Sequence, residues 1–546
     1  MQELLLLALL SGVVPASAAP SPGAASADTV PLFEGLGDHH HSISTTNTEA
    51  QAYFDQGLRL VYGFNHAEAI RSFEEALRME GGCAMCWWGI ALAAGPNINA
   101  AMDSAGGALA WKAIQAARKR GTGASAKEEA YIEALSRRYG PDPLADRAQR
   151  DSAYAIAMAE VARRFPADDD AQVLYADALM NLAPWDYWEA DLTPRPGTSE
   201  LLSTLARVVE RAPAHAGACH LFIHAVEKGD PQRAVPCAER LPDLMPSAGH
   251  IVHMPAHIFI RVGRYIDAIE RNHHATHADE RYIHAERPRG IYPMAYYPHN
   301  YDFLAFAAAM AGRRGEALEA ARAAVAAVDR EMATVPELGG LQNYQVLPLR
   351  MMVRFGLWAE VLAEPAPPPD QRFAVGFHHF ARGLSLLRTG RVADAVAELQ
   401  RLRTLSGEPE VQPVVIWWNP AAKVLRLAEL VLEAEIAQEG GRSDQAVALL
   451  EDAVALEDGL VYDEPPAWSV PPRQVLGRVL LECGRPAAAE QVFRADLERH
   501  PENGWSLLGL TQALAAQGRD AEAKAARARL ERAWRTADGE VKTSAY

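Results

Sequence analysis

The feature that most constrains this chain is a spacing of small and aromatic residues that returns along its length. Tyr53, Gly57, Ala69, Phe73 and Ala76 stand at the fourth, eighth, twentieth, twenty-fourth and twenty-seventh places of a unit of about 34 residues. The spacing returns as Gly477, Ala489, Phe493 and Pro501, and again as Trp505, Leu508, Gly509, Ala521 and Ala528. Weaker copies are Ala305/Ala317/Ala324, Gly383/Ala395 and Ala434/Ala446/Ala453. Small residues let two helices approach closely, and the aromatics fill the space between successive pairs. Gly-Arg dipeptides at Gly263, Gly312, Gly390, Gly484 and Gly518 fall between the two helices of a unit, where glycine suits a left-handed helix end. No period-2 alternation runs long enough for a sheet. The spacing therefore predicts an all-α solenoid of helix pairs. Proline-rich breaks at 141–143, 194–196, 288–298, 365–369 and 465–472 read as long loops, so the array is expected to be irregular. Two lobes are expected, residues 49–364 and 370–536, with a tail at 537–546.

Residues 1–18 read as a signal peptide. An apolar run at 4–14 ends at Pro15, and Ala16-Ser17-Ala18 supplies a small-x-small cleavage pattern, although Glu3 stands where a basic residue is usual. This predicts a periplasmic or secreted protein. Residues 19–48 are expected to be a flexible lead-in, rich in Ala, Ser, Pro and Gly up to residue 31. No later run has 18 uninterrupted apolar residues, so no membrane span is expected. The chain carries 53 basic and 70 acidic residues, a formal net charge of −17, and no basic stripe. Phosphate backbones would repel it, which excludes nucleic acid as a partner. No phosphate loop, dinucleotide fingerprint or nucleophilic-serine motif is present. The five cysteines are an odd number, leaving at least one thiol unpaired.

The repeat resembles the tetratricopeptide-repeat family over nearly the full length. More narrowly, three features are similar to a group of large bacterial exported tetratricopeptide-repeat proteins. These are Phe64-Asn65-His66 leading into Ala69-Ile70, Trp87-Trp88-Gly89 followed by Gly95-Pro96-Asn97, and a histidine-rich centre. The resemblance implies a right-handed superhelix of helix pairs with a concave groove. It implies no particular reaction.

That histidine-rich centre is the main functional signal. Eleven of the 18 histidines fall between His215 and His299, a stretch where an even distribution over 546 residues would place about three. His220, His224 and Glu227 are at i, i+4 and i+7, on one face of a helix. His273 and His277 repeat the i, i+4 spacing, and His250, His253 and His257 are at i, i+3 and i+7. Two histidines one helical turn apart can hold one metal ion, and a nearby carboxylate can ligate it or act as a base. Aligning Ala256 and Ala268 as eighth and twentieth places puts His250, His253 and His257 at groove-facing places of a first helix. The next copy puts His299 and Asp302 there. Pro255 is the weak point, since a helix starting near Met254 would leave His250 and His253 outside it.

The expected metal set is thus His220, His224, Glu227, His250, His253, His257 and His299, with Glu227 and Tyr297 as candidate catalytic groups. Tyr292, Tyr296, Tyr297 and Tyr301 surround His299 and are read equally as pocket lining or as a packed aromatic loop. Cys83-x-x-Cys86 is a weaker second candidate, also at groove-facing places. His39-His40-His41 reads as part of the flexible lead-in, and His215 alone as a core residue.

Three functional classes fit this pattern. The first is a metal-dependent enzyme, with oxidoreductase favoured, acting on a small-molecule or peptide substrate. A histidine-dominated donor set suits a transition metal, copper first, then iron or zinc. The second is a scaffold binding a peptide or protein partner in the groove. The third is a metal storage or transport protein.

Overall fold

A computed structural model describes residues 30–546, apart from 122, 289, 336, 337 and 540. The expected signal peptide and residues 19–29 of the lead-in lie outside the described residues. The chain is all-α, as the repeat predicts. Consecutive helices pack on one another from Thr48–Tyr62 to Gly249–His253 and again from Tyr265–Glu286 to Asp520–Ala533. A two-residue antiparallel ladder pairs Val415–Ile416 with Asn419–Pro420.

The repeat register has a direct packing cause. Phe73 wedges between Gly57 and Gly89, and a Cβ built on either glycine would stand 2.5 or 2.6 Å from its ring. Phe493 does the same between Gly477 and Gly509, at 2.3 and 2.2 Å. Only hydrogen fits at these places, so the small-aromatic-small spacing is a condition for helices to meet. Gly263, Gly312, Gly390, Gly484 and Gly518 have φ between 70° and 78°, the left-handed turn expected between paired helices.

Two compact units divide the chain, Met1–Ile258 and Phe259–Tyr546. In the second unit one buried apolar cluster includes Val346, Val361, Phe373, Leu425 and Phe493, and so continues past the proline-rich 365–369 stretch. Within the expected tail, Ser544 and Ala545 are packed. Ala545 is buried, and Ser544 Oγ donates to the Gln474 carbonyl at 3.0 Å.

The described part of the lead-in corrects the expectation of flexibility. Tyr53 and Gln56 side chains donate to the carbonyls of Val30 and Pro31 at 2.8 and 2.9 Å. Ser247 N–H donates to the Gly35 carbonyl at 2.9 Å, and Val30, Leu36 and Ile43 are buried. Polar side chains of the first helix satisfy this backbone, so the segment is ordered without secondary structure of its own.

Candidate metal centre

The helix Ala216–Val226 (AGACHLFIHAV) is apolar on all sides, and every one of its residues is buried. A helix of this kind sits inside a domain. It therefore carries His220 and His224 into the interior of the first unit. Glu227 follows at its C-terminal end. A short helix, Gly249–His253, brings in His250 and His253, and a second one, Pro255–Arg261, begins with Pro255 and brings in His257. Pro255 thus starts a helix, where its missing N–H costs nothing. His250 and His253 are helical but belong to a separate segment, so the single-face argument for the three histidines does not hold. Tertiary packing gathers them instead. All five imidazoles and Glu227 are buried, none more than 4% exposed. The expected open groove is here a closed interior site.

Hydrogen bonds assign the tautomers. The His220 Nδ1–H donates to the Tyr62 carbonyl at 2.7 Å. Glu227 accepts from both sides: from His224 Nδ1–H at 3.0 Å and from His257 Nδ1–H at 2.6 Å. Each of these three rings therefore presents a bare Nε2 lone pair, the form that binds a metal. His224 Nε2 is buried with no hydrogen-bond partner. Donor atoms of His220, His224 and His250 all lie within 4.8 Å of one another. His220 and His250 approach at Nε2···Nε2 3.2 Å, and His253 and His257 at 3.0 Å. Two nitrogens bound tetrahedrally to one ion at 2.0–2.1 Å stand about 3.3 Å apart, so these separations match a shared ion. Use of both carboxylate oxygens lets Glu227 orient the His224 and His257 rings.

Burial keeps these rings neutral. It pushes His220 and His257 down to about 3 and His224 to about 4, the last despite its bond to Glu227. Burial first, and then the neighbouring imidazoles, lower His250 as well. Neutral imidazoles at neutral pH need lose no proton before binding an ion.

Two aromatics wall the site, and sequence reasoning missed both roles. Phe64 stacks on His224 and His250 with centroids 6.0 and 5.5 Å away, and Trp185 meets His224 edge-on at 5.0 Å. Both have left-handed backbones, with φ 56° and 64°. A bulky residue in that region is strained by about 1–3 kcal/mol, and such strain clusters at functional sites. No local sequence signal marks a positive φ at a phenylalanine or tryptophan.

The remaining candidates stand on other elements. His273 Nε2–H donates to Glu316 at 2.7 Å, and His274, His277 and His284 are exposed on Tyr265–Glu286, so the second i, i+4 pair is a surface pair. His299 belongs to the second unit, on Tyr297–Met310, edge-on to Phe303. In that unit the Tyr297 hydroxyl contacts Glu280 and Tyr301, both at 3.3 Å. Cys83 and Cys86 form a disulfide at the start of Ala84–Ala93 and are buried, which removes them as metal thiolates or a groove motif.

A second histidine cluster is built by the lead-in. His39 Nε2, His41 Nδ1 and His215 Nε2 lie 3.0, 2.6 and 3.2 Å from the Asp170 carboxylate, which also accepts from Tyr62 Oη at 2.5 Å. Burial alone would raise the Asp170 carboxyl, but the bonds from His215, His39 and His41 hold it well below the usual range. His215 Nδ1 accepts the Ala218 N–H at 3.2 Å, as the helix N-cap. Its proton therefore sits on Nε2, toward Asp170. This makes the cluster a hydrogen-bonded hub that fastens the lead-in to the first unit.

No family model matches the chain, and no curated protein matches it. Solved structures similar to it include the APC/C hetero-tetramer Cut9–Hcn1 (12% identity, 89% of this chain and 76% of that one, TM-score 0.32). Human IFIT1 dimer with m7Gppp-AAAA is another (11%, 91% and 92%, TM-score 0.30), and yeast Tom70 a third (11%, 87% and 90%, TM-score 0.29). These superpose too loosely to carry an argument, and the assignment rests on the helix pairs and their glycine–phenylalanine wedges. The chain is an all-α protein of packed helix pairs that carries buried histidine clusters.

Proposed function

We propose that this chain is an exported metalloprotein, working as a metal-dependent oxidoreductase, with a transition-metal ion held by His220, His224 and His250. The observation that carries this reading is the buried set of neutral imidazoles whose Nδ1 atoms at His220 and His224 are committed to acceptors, leaving Nε2 for an ion. Clustering five imidazoles in an interior costs desolvation and mutual repulsion on protonation, and a shared cation gives that arrangement a purpose. An all-nitrogen donor set without thiolate suits copper first, then iron or zinc. Three protein ligands leave a further coordination position, as catalytic sites do and storage sites do not. Such an ion would supply electron transfer or Lewis-acid polarisation to a substrate. Phe64 and Trp185 would exclude water, while Glu227 and the Tyr62 carbonyl would orient the rings. The helical-repeat fold also fits a scaffold or partner-binding role.

Elemental analysis of the purified full chain tests the reading. At least one equivalent of copper, iron or zinc is expected, with loss in H220A/H224A. A wild-type chain that neither retains nor takes up a transition metal would overturn it and favour the scaffold.

A further inference from the structure

The five interior histidines contain two close nitrogen pairs, and the second is the more tightly drawn. His253 Nε2 and His257 Nε2 are 3.0 Å apart, and His220 Nε2 and His250 Nε2 are 3.2 Å apart. For ligands 2.0–2.1 Å from an ion, 3.0 Å subtends about 95° and 3.2 Å about 105° at that ion. Both are angles between adjacent ligands of one coordination polyhedron. A tetrahedral ion has four positions, so one such ion does not take all five imidazoles.

We infer that the cluster binds a second transition-metal ion at His253 and His257, beside the ion held by His220, His224 and His250. The inference rests on the reading of that first site. Glu227 supports it independently of the distances. Its two oxygens accept Nδ1–H from His224 and from His257, so one carboxylate fixes the ligating tautomer of one histidine in each set. A site that used only His220, His224 and His250 would gain nothing from a matched tautomer at His257. Without metal, an Nε2–H on His253 can simply donate to the His257 lone pair. Metal binding moves that proton to Nδ1, where His253 becomes a ligand through Nε2.

The chemistry follows from charge. Two divalent ions among neutral imidazoles, with Glu227 as the carboxylate bonded to the cluster, leave the pocket cationic. A small anionic oxygen donor such as hydroxide or a carboxylate is the class of ligand that such a pair would bridge.

The test is stoichiometric. The full chain, stripped of metal with a chelator, is titrated with zinc(II) and analysed by equilibrium dialysis. Two equivalents are expected for wild type and one for H253A/H257A, with H220A/H224A also losing an equivalent. Saturation of wild type at one equivalent, or retention of two by H253A/H257A, would overturn the second site and leave the first standing. No binding at all would overturn both. Cobalt(II) titration of the wild-type chain needs no variant. Its visible bands should grow through two equivalents, and growth that stops at one refutes the second ion even if the variants misfold.

Discussion

Glu227→Gln isolates the orienting role of a single carboxylate. In the wild type both carboxylate oxygens accept, from His224 Nδ1–H at 3.0 Å and His257 Nδ1–H at 2.6 Å. Glutamine has nearly the same shape but offers one acceptor and one donor. Its carbonyl satisfies one imidazole, while its amide N–H points at the Nδ1 of the other. That ring must then carry its proton on Nε2, which removes its lone pair from the ion. Loss of an outer-shell partner of this kind costs about 10- to 100-fold in metal affinity, or roughly 1.4–2.7 kcal/mol. The assay is a zinc competition titration against a chromophoric chelator at pH 7.5, with far-UV circular dichroism confirming the helical fold. Affinity within about twofold of wild type in a folded variant would refute the tautomer argument. It would show that Glu227 merely fills space.

Acid should destabilise the first unit through the same rings. His220, His257 and His224 are held down to about 3, 3 and 4 when folded, and regain an ordinary value near 6.5 when unfolded. The unfolded chain therefore binds the extra protons. The stability these neutral rings contribute is fully present above pH 6.5, declines as pH falls, and is lost once pH passes their folded values. The slope is up to about 1.4 kcal/mol per pH unit for each histidine. Urea melts at pH 7.5 and 5.5 should differ by a clear drop in midpoint, and the drop should shrink in H220A/H224A; identical midpoints would contradict the buried neutral state. Gly477→Ala should lower the thermal midpoint of the second unit. Its Cβ would meet Phe493 at 2.3 Å, and Gly509 confines that ring from the other side, so overpacking costs about 1–3 kcal/mol. An unchanged melting curve would mean the wedge can shift.

Helix type and repeat register were legible because both are local. The Phe73 and Phe493 wedges need glycine or another small residue at fixed offsets, and those offsets survive in the linear pattern. The left-handed glycines between paired helices are readable for the same reason. The histidine excess was also legible as a count, and His220, His224, His250, His253 and His257 were among the candidates it raised. Their partition was not. His220/His224 and His273/His277 have the same i, i+4 spacing, yet the first pair is buried and the second lies at the surface. The difference is that Ala216–Val226 is apolar all round, whereas Tyr265–Glu286 carries charged residues on an outer face. Glu227 illustrates the limit most clearly. Spacing made it a ligand or base, but only packing put His257, 30 residues away, on its second oxygen. The Asp170 hub is built across 129 and 131 residues by a segment whose composition reads as disordered. By itself the sequence determined helices, pairs and an unusual store of imidazoles, since these follow from neighbours along the chain. Only the tertiary structure decided which imidazoles face one another and which nitrogen each presents, because those depend on hydrogen-bond partners that the chain brings together from far apart.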